Sequence, residues 1–229
     1  MIFISDFISL IFPKICVGCG NSLWKNEELL CHLCAYHLPK TNFHFEHENP
    51  VTRLFWGRVP IETGTAFLYF NKGNRVQRLI HQLKYKGKKE IGIFLGTQYG
   101  QELKHAPGFN SADAIIPVPL HKKKYMKRGY NQSEQFAIGL TGSMNIPVER
   151  HLLCRIKATE TQTRKSKFRR YQNVHEIFSV NHPENWIGKH LILVDDVVTT
   201  GATLESCARA LKEIPDVKIS IVCIAAALL

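Results

Sequence analysis

The stretch Leu191-Ile192-Leu193-Val194-Asp195-Asp196-Val197-Val198-Thr199-Thr200-Gly201-Ala202-Thr203 decides the fold. Four consecutive apolar residues at 191–194, bounded by charge, suit a short strand buried on both faces, as in a parallel sheet. Asp195 and Asp196 then emerge at the carboxyl end of that strand, where open α/β sheets bind their ligands. The loop that follows offers hydroxyls at Thr199, Thr200 and Thr203 and runs through Gly201 and Ala202 into a helix expected over residues 202–212. N–H groups at a helix N-terminus, together with hydroxyls, form a cradle for phosphate, and Gly201 lets the backbone approach the anion closely. A carboxylate pair just before the cradle suits ribose hydroxyls, or a Mg2+ ion beside them. A sugar 5-phosphate with its diol turned toward the carboxylates satisfies both halves. Two readings compete. A Walker-type acidic strand end fails because the chain contains no Gly-x4-Gly-Lys-Ser/Thr. In a bare strand-to-helix turn, Asp and Thr would serve only as caps.

Outward from this stretch, strand-like and helix-like segments alternate. Residues 112–117 read as a second buried strand, followed by Val118 and Pro119, with a helix over 133–140. Residues 151–156 and 175–180 read as further strands, and 217–229 contain a last one. Residues 53–70 are short and β-like, with Gly57 and Gly64 as breaks. Across 75–103, Val76, Leu79, Ile80 and Leu83 recur at helical spacing until the basic turn 84–89 interrupts them. Such alternation predicts an α/β fold with a largely parallel sheet flanked by helices. The expected organisation is one domain over residues 51–229, preceded by a Cys- and His-rich segment over 1–50. At 229 residues and 45% hydrophobic composition the chain can build a real core, which excludes general disorder. No apolar run approaches the roughly 18–20 residues needed to span a bilayer, so no transmembrane segment is expected. Residues 1–12 are apolar but carry Asp6 and lack a basic start and a small-x-small cleavage site, so they read as a short amphipathic helix.

The opening segment holds Cys16-x2-Cys19 and Cys31-x2-Cys34, separated by eleven residues. Two such knuckles supply the four soft ligands of a tetrahedral zinc site from very little chain. The metal would provide much of the folding energy of so small a segment, and four protein ligands leave no open position, so the zinc is read as structural. Gly20, directly after Cys19, fits a tight turn whose N–H groups face sulfur. Redox chemistry and simple burial are the competing readings of these thiols. Cys154, Cys207 and Cys223 fall in expected strands or a helix and read as core. Paired thiols in this spacing speak for a reducing compartment, and the protein is expected in the cytoplasm.

Thirty Lys and Arg against nineteen Asp and Glu give a formal charge of +11, which suggests an anionic partner. Fourteen of those thirty cluster in three places. Lys84, Lys86, Lys88 and Lys89 form one cluster, Lys122, Lys123, Lys124, Lys127 and Arg128 a second in a loop, and Arg164, Lys165, Lys167, Arg169 and Arg170 a third within the polar stretch 157–173. Tyr85, Tyr125, Tyr130, Phe168 and Tyr171 are interleaved with them. Cationic surface with stacking rings suits single-stranded nucleic acid. The same clusters could instead hold a diphosphate, with 157–173 closing as a lid, or serve solubility alone. Arg128, Asn131 and Gln132 are planar donors near the carboxyl end of the 112–117 strand, which favours ligand contact over solvent.

Residues 191–203 resemble the signature of type I phosphoribosyltransferases, which bind 5-phosphoribosyl 1-diphosphate with Mg2+. The resemblance assigns Asp195 and Asp196 to the ribose, as the catalytic pair, and Thr199, Thr200, Gly201, Ala202 and Thr203 to the 5-phosphate. It narrows with the paired Cys-x-x-Cys opening, Leu83-Lys84-Tyr85-Lys86, Pro117-Val118-Pro119, Arg128-Gly129-Tyr130-Asn131-Gln132, and Gln162 with Arg170-x2-Asn173. Together these resemble the ComF family of competence proteins over nearly the whole chain, with Tyr130 where the family's form has Phe. The resemblance implies a type I phosphoribosyltransferase-like sheet preceded by a small zinc-ribbon-like module. Lys84, Arg128, Asn131, Gln132 and Arg170 become diphosphate or DNA contacts. It further implies a role in DNA uptake during natural transformation, either as a transferase whose acceptor no motif names or as a single-stranded DNA-binding factor whose phosphoribosyl site is regulatory. A third class is a zinc-mediated module docking on a competence helicase.

Overall fold

The computed structural model describes residues 13–71, 73–155 and 178–227. The expected helix over 1–12 and the basic stretch 157–173, with Gln162, Arg170 and Asn173, lie outside the described residues. In chain order come α1 (His32–Tyr36), α2 (Pro50–Arg53), β1 (Thr63–Tyr69), α3 (Arg75–Tyr85), α4 (Glu90–Leu103), β2 (Ala114–Pro117) and α5 (Lys122–Arg128). They are followed by α6 (Gln132–Met144), β3 (Leu153–Arg155), β4 (Phe178–Val180), β5 (His190–Val198), α7 (Ala202–Leu211) and β6 (Lys218–Ala226).

Four strands form one parallel sheet in the order β1-β6-β5-β2, so the strand that carries the acidic pair is interior. Successive side chains of a strand face opposite ways. On β5, Leu191 and Leu193 pack with Leu204, Cys207 and Leu211 of α7, whereas Ile192 and Val194 join the core built by α3, α4 and α6. Apolar cover on both faces is why the strand reads as an uninterrupted hydrophobic run. Asn74 caps α3 through Gln77 N at 3.0 Å, and Val76, Leu79, Ile80 and Leu83 bury one face of the helix. Full burial of a leucine such as Leu79 or Leu83 contributes roughly 1.5–3 kcal/mol.

Helices α4 and α6 meet backbone to backbone. A Cβ on Gly96 would lie 2.2 Å from Phe136 O, and one on Gly139 would lie 2.1 Å from Ile93 O, so only glycine permits this approach. The tight seam fixes α6, and with it the start of α6, against the end of β5.

Several elements differ from the sequence expectation. β5 does not stop at Val194: Asp195, Val197 and Val198 go on pairing with Cys223, Ala225 and Ala226, because β6 stays apolar and extended to its end and keeps its backbone groups satisfied against the neighbour. The acidic pair therefore sits within the last part of the strand. Residues 122–128, expected as loop, form α5. They are mostly straight-chain helix formers, started by a His121 side-chain cap and stopped at Gly129 in the left-handed region (φ 80°). Gly64 is not a break but lies inside β1, where a Cβ would crowd Val51 at 3.3 Å. β3 and β4 pair antiparallel with each other as a separate ribbon outside the main sheet. Cys207 and Cys223 are buried as expected, whereas Cys154 is only partly so, since its strand lies in that peripheral ribbon.

The four-cysteine segment is not an appendage. Cys16, Val17, Leu30, Cys34 and Leu38 belong to the same apolar cluster as α3, α4 and α6. Among the described residues, no helix is long and apolar enough to cross a membrane.

Candidate functional site

The acidic pair is held from two sides. Ser133, in the first turn of α6, donates its hydroxyl to Asp195 Oδ1 at 2.9 Å, and Asp196 N donates to the same oxygen at 2.8 Å. Across the strand end, Lys84 Nζ from the last turn of α3 lies 2.8 Å from Asp196 Oδ1, with both side chains largely enclosed. Burial, reinforced by the neighbouring Asp196 charge, pushes the Asp195 carboxyl up to about 7; the Ser133 and Asp196 hydrogen bonds and the Lys84 ammonium pull the other way without winning. Two adjacent carboxylates answered by one ammonium form a site short of positive charge. A divalent cation fits that deficit.

Beyond the pair, Thr199, Thr200, Ala202 and Thr203 are exposed, while Gly201 is buried and left-handed at φ 74°. Among the described residues no side chain caps α7 at Gly201, and N–H groups of a helix's first turn suit an anion. The loop is braced from beneath by the segment after α2. A Cβ on Gly201 would press on the Phe55 ring at 3.2 Å. Arg58 donates to Thr200 O at 2.8 Å and to Leu54 O at 2.9 Å, and pairs with Glu205, which Arg209 also holds. Sequence reasoning missed Arg58, Phe55 and Ser133. Nothing in the local pattern marks them, because Arg58 and Thr200 are 142 positions apart and Ser133 and Asp195 are 62 apart.

The Arg128 block lies beside the same helix end. Arg128 donates to Gln132 Oε1 and stacks over the Tyr85 ring with its guanidinium 5.3 Å from the centroid, and the Tyr130 hydroxyl donates to Leu83 O. Lys84, Tyr85, Arg128 and Gln132 are thus brought together. Asn131 is buried and uses its side chain internally, donating to Val118 O at 2.9 Å and accepting from Ser133 N at 3.1 Å as the cap of α6. All of α5 is exposed or partly exposed, including Tyr125 and Met126. The stacking of Arg128 on Tyr85 joins this basic helix to the 84–89 turn as one cationic, aromatic surface.

Beside α3, whose Arg78 and Gln82 contact the first knuckle, the sulfurs of Cys16, Cys19, Cys31 and Cys34 all lie within 4.8 Å of one another, with Cys19 and Cys31 3.8 Å apart. That matches the sulfur spacing of about 3.8 Å around a tetrahedral zinc bonded at about 2.3 Å. Backbone N–H groups already face the sulfurs: Gly18 N and Cys31 N donate to Cys16 Sγ at 3.4 and 3.3 Å, and Cys34 N donates to Cys31 Sγ at 3.4 Å. Burial pushes the Cys16 thiol up, but the N–H groups of Cys31, Cys19 and Gly18 outweigh it and bring it down to about 6. Cys34 is pushed well up by burial and by the neighbouring thiols. Four enclosed sulfurs cannot all ionise without a cation, and the donor set fits zinc; Gly20, at φ 86°, closes the first knuckle by donating to Cys16 O at 2.8 Å.

The phosphoribosyl transferase domain family matches residues 146–228. The DNA utilization protein YhgH of Escherichia coli O157:H7 is 30% identical over 200 residues, covering 86% of this chain and 83% of that protein. Competence protein F of Haemophilus influenzae is 37% identical over 103 residues, covering 44% of this chain and 45% of that protein. Competence protein ComFC of Bacillus subtilis is 25% identical over 200 residues, covering 87% of this chain and 78% of that protein.

Proposed function

This chain belongs to the ComF/YhgH family of proteins with a phosphoribosyltransferase domain, and from that membership we propose that it binds phosphoribosyl diphosphate with Mg2+ and acts in the handling of incoming single-stranded DNA. The observation that carries the sugar-phosphate half is the arrangement at the end of β5: a carboxylate pair short of positive charge, directly followed by a helix N-terminus that no side chain caps among the described residues. In this reading the N–H groups and hydroxyls of residues 199–203 hold the 5-phosphate, and Arg58 keeps their loop in shape from behind. Asp195 and Asp196 hold the ribose hydroxyls and stabilise positive charge as it develops on the ring. Lys84, within 2.8 Å of Asp196, is placed to swing onto the diphosphate. Magnesium bound with the diphosphate would neutralise the leaving group. The chemistry so supported is cleavage of the C1–diphosphate bond with attack by a nitrogen nucleophile.

The DNA half rests on a separate observation, the joining of α5 to the 84–89 turn through Arg128 and Tyr85. Residues 1–50 serve as a zinc-stabilised module and 51–229 as the phosphoribosyl domain, in a cytoplasm that keeps the thiols reduced.

A competition ladder against phosphoribosyl diphosphate tests the site assignment. If the carboxylates hold the diol and the loop holds phosphate, ribose 5-phosphate competes at least about tenfold better than 2-deoxyribose 5-phosphate, and inorganic phosphate competes weakest. Equal competition by all three would remove the carboxylates from the binding site.

A further inference from the structure

Helix α3 touches both chemical centres. Arg78 Nη1 donates to Gly18 O at 2.7 Å and, in the last turn, Gln82 Nε2 donates to Val17 O at 2.7 Å. Those two carbonyls belong to the residues between Cys16 and Cys19, so their positions are set by how the first knuckle wraps its metal. In its last turn the same helix carries Lys84, 2.8 Å from Asp196. One rigid helix therefore spans the interval between a knuckle backbone and the acidic pair, and it packs against the knuckle through the shared cluster that includes Cys16, Val17 and Leu79.

We infer that the four-cysteine centre controls the affinity of the phosphoribosyl site, with Arg78 and Gln82 as positioning residues that transmit the shape of the knuckle to Lys84. The inference rests on the phosphoribosyl reading of the Asp195–Asp196 site. Physically, the metal fixes the 16–19 turn, and the turn presents two carbonyls in one geometry. The two donors on α3 then lock the helix so that the Lys84 ammonium reaches the acidic pair. Without the metal the acceptors move, α3 keeps its apolar contacts, Tyr130 at Leu83 O and Arg128 over Tyr85 but loses both knuckle contacts, and Lys84 is no longer held at the pair. Arg78 and Lys84 each bring a charged group to their contact, and hydrogen bonds and ion pairs of that kind are stronger than neutral ones.

Coupling of this kind is reciprocal: if the metal strengthens ligand binding, the ligand must strengthen metal retention by the same factor. This yields a readout that does not depend on turnover. Zinc-loaded protein is titrated to equilibrium against a zinc-selective chromogenic chelator of known affinity, with and without saturating Mg–phosphoribosyl diphosphate, and the apparent zinc affinity is read. Calorimetry on the same sample establishes that the ligand is bound. In the native chain the bound ligand raises the zinc affinity about fivefold or more, within the span usual for coupled sites. In the Arg78→Ala/Gln82→Ala variant the ligand still binds, more weakly, but the zinc affinity is the same with and without it. Lys84→Met, which leaves the knuckle contacts intact, also loses the gain, and Arg78→Lys with native Gln82 recovers part of it. Circular dichroism and one bound zinc per chain confirm that each variant is folded.

Binding heat with an unchanged zinc affinity in the native chain overturns the inference alone. A gain that persists undiminished in both the double variant and Lys84→Met overturns it as well, because the signal would then bypass α3. Absence of any binding heat overturns the phosphoribosyl reading, and the inference with it.

Discussion

Ser133 Oγ donates to Asp195 Oδ1 at 2.9 Å, so the first turn of α6 reaches across to the end of β5 and steadies one carboxylate of the pair. A hydrogen bond to the charged form of an acid favours ionisation, and here it works against burial and the Asp196 charge, which together push Asp195 up to about 7. Binding that needs an ionised pair should therefore strengthen as pH rises through about 7 and level off above. Ser133→Ala removes a contact that favours the charge, so the midpoint should move to higher pH. Calorimetric titrations with Mg–phosphoribosyl diphosphate between about pH 5.5 and 8.5 check both the slope and the shift.

The same raised carboxyl makes a prediction about stability of the free protein. Asp195 keeps its proton in the folded chain up to about 7, whereas in the unfolded chain it loses it near the ordinary aspartate value, so the folded state binds more protons in between. Its stabilising contribution is full below the unfolded value and is lost as pH rises through about 7. Thermal midpoints across that window should fall with pH more steeply in the native chain than in Asp195→Asn.

The α4–α6 seam should be intolerant of a single methyl. Gly139→Ala would place a Cβ 2.1 Å from Ile93 O and force the helices apart, costing about 1–3 kcal/mol in denaturant melts. Gly142, on the same helix, has nothing within 4 Å of its would-be Cβ. There alanine should be neutral or add up to about 1 kcal/mol through helix propensity. Equal losses at the two positions would mean that the seam is not close-packed.

Arg58 is predicted to act through the loop it braces. Arg58→Ala frees Thr200 O and leaves the Glu205 carboxylate to Arg209 alone, and affinity for phosphoribosyl diphosphate should fall about tenfold, the scale of losing one charge-assisted hydrogen bond. Oligonucleotide binding, measured by fluorescence anisotropy in the same variant, should stay as it was.

The DNA surface is tested by salt. Each single-strand phosphate neutralised contributes roughly −0.7 to the slope of log K against log salt. Charge reversal at Lys123, Lys124 and Lys127 should therefore flatten the slope by about 1–2 while leaving sugar-phosphate binding intact. An unchanged slope would place the nucleic acid elsewhere.

What the sequence revealed and what it hid follow a physical line. The interior strands were legible because a parallel sheet covered on both faces demands continuous apolar residues, and 191–194 supply them. Helix α3 was legible because its buried face repeats at helical spacing, and the four thiols because metal ligation tolerates few spacings. Helix α5 was not, since it buries no residue and so shows no periodicity. The full length of β5 was hidden because Asp195 and Asp196 end the apolar run while the backbone pairing with β6 continues. Arg58, Ser133 and the Lys84–Asp196 contact are products of tertiary folding between distant segments, and no local pattern announces them. Asn131 shows a subtler limit: a planar donor beside a ligand end reads the same whether it faces the ligand or, as here, caps the helix behind it.

The most direct measurement is isothermal calorimetry of the zinc-loaded protein with Mg–phosphoribosyl diphosphate, run in parallel on Asp196→Asn. The account predicts micromolar, one-to-one binding to the native chain, and no measurable heat from a variant that remains folded and keeps its zinc. Absence of binding to the native chain, or equal affinity in the variant, would contradict it.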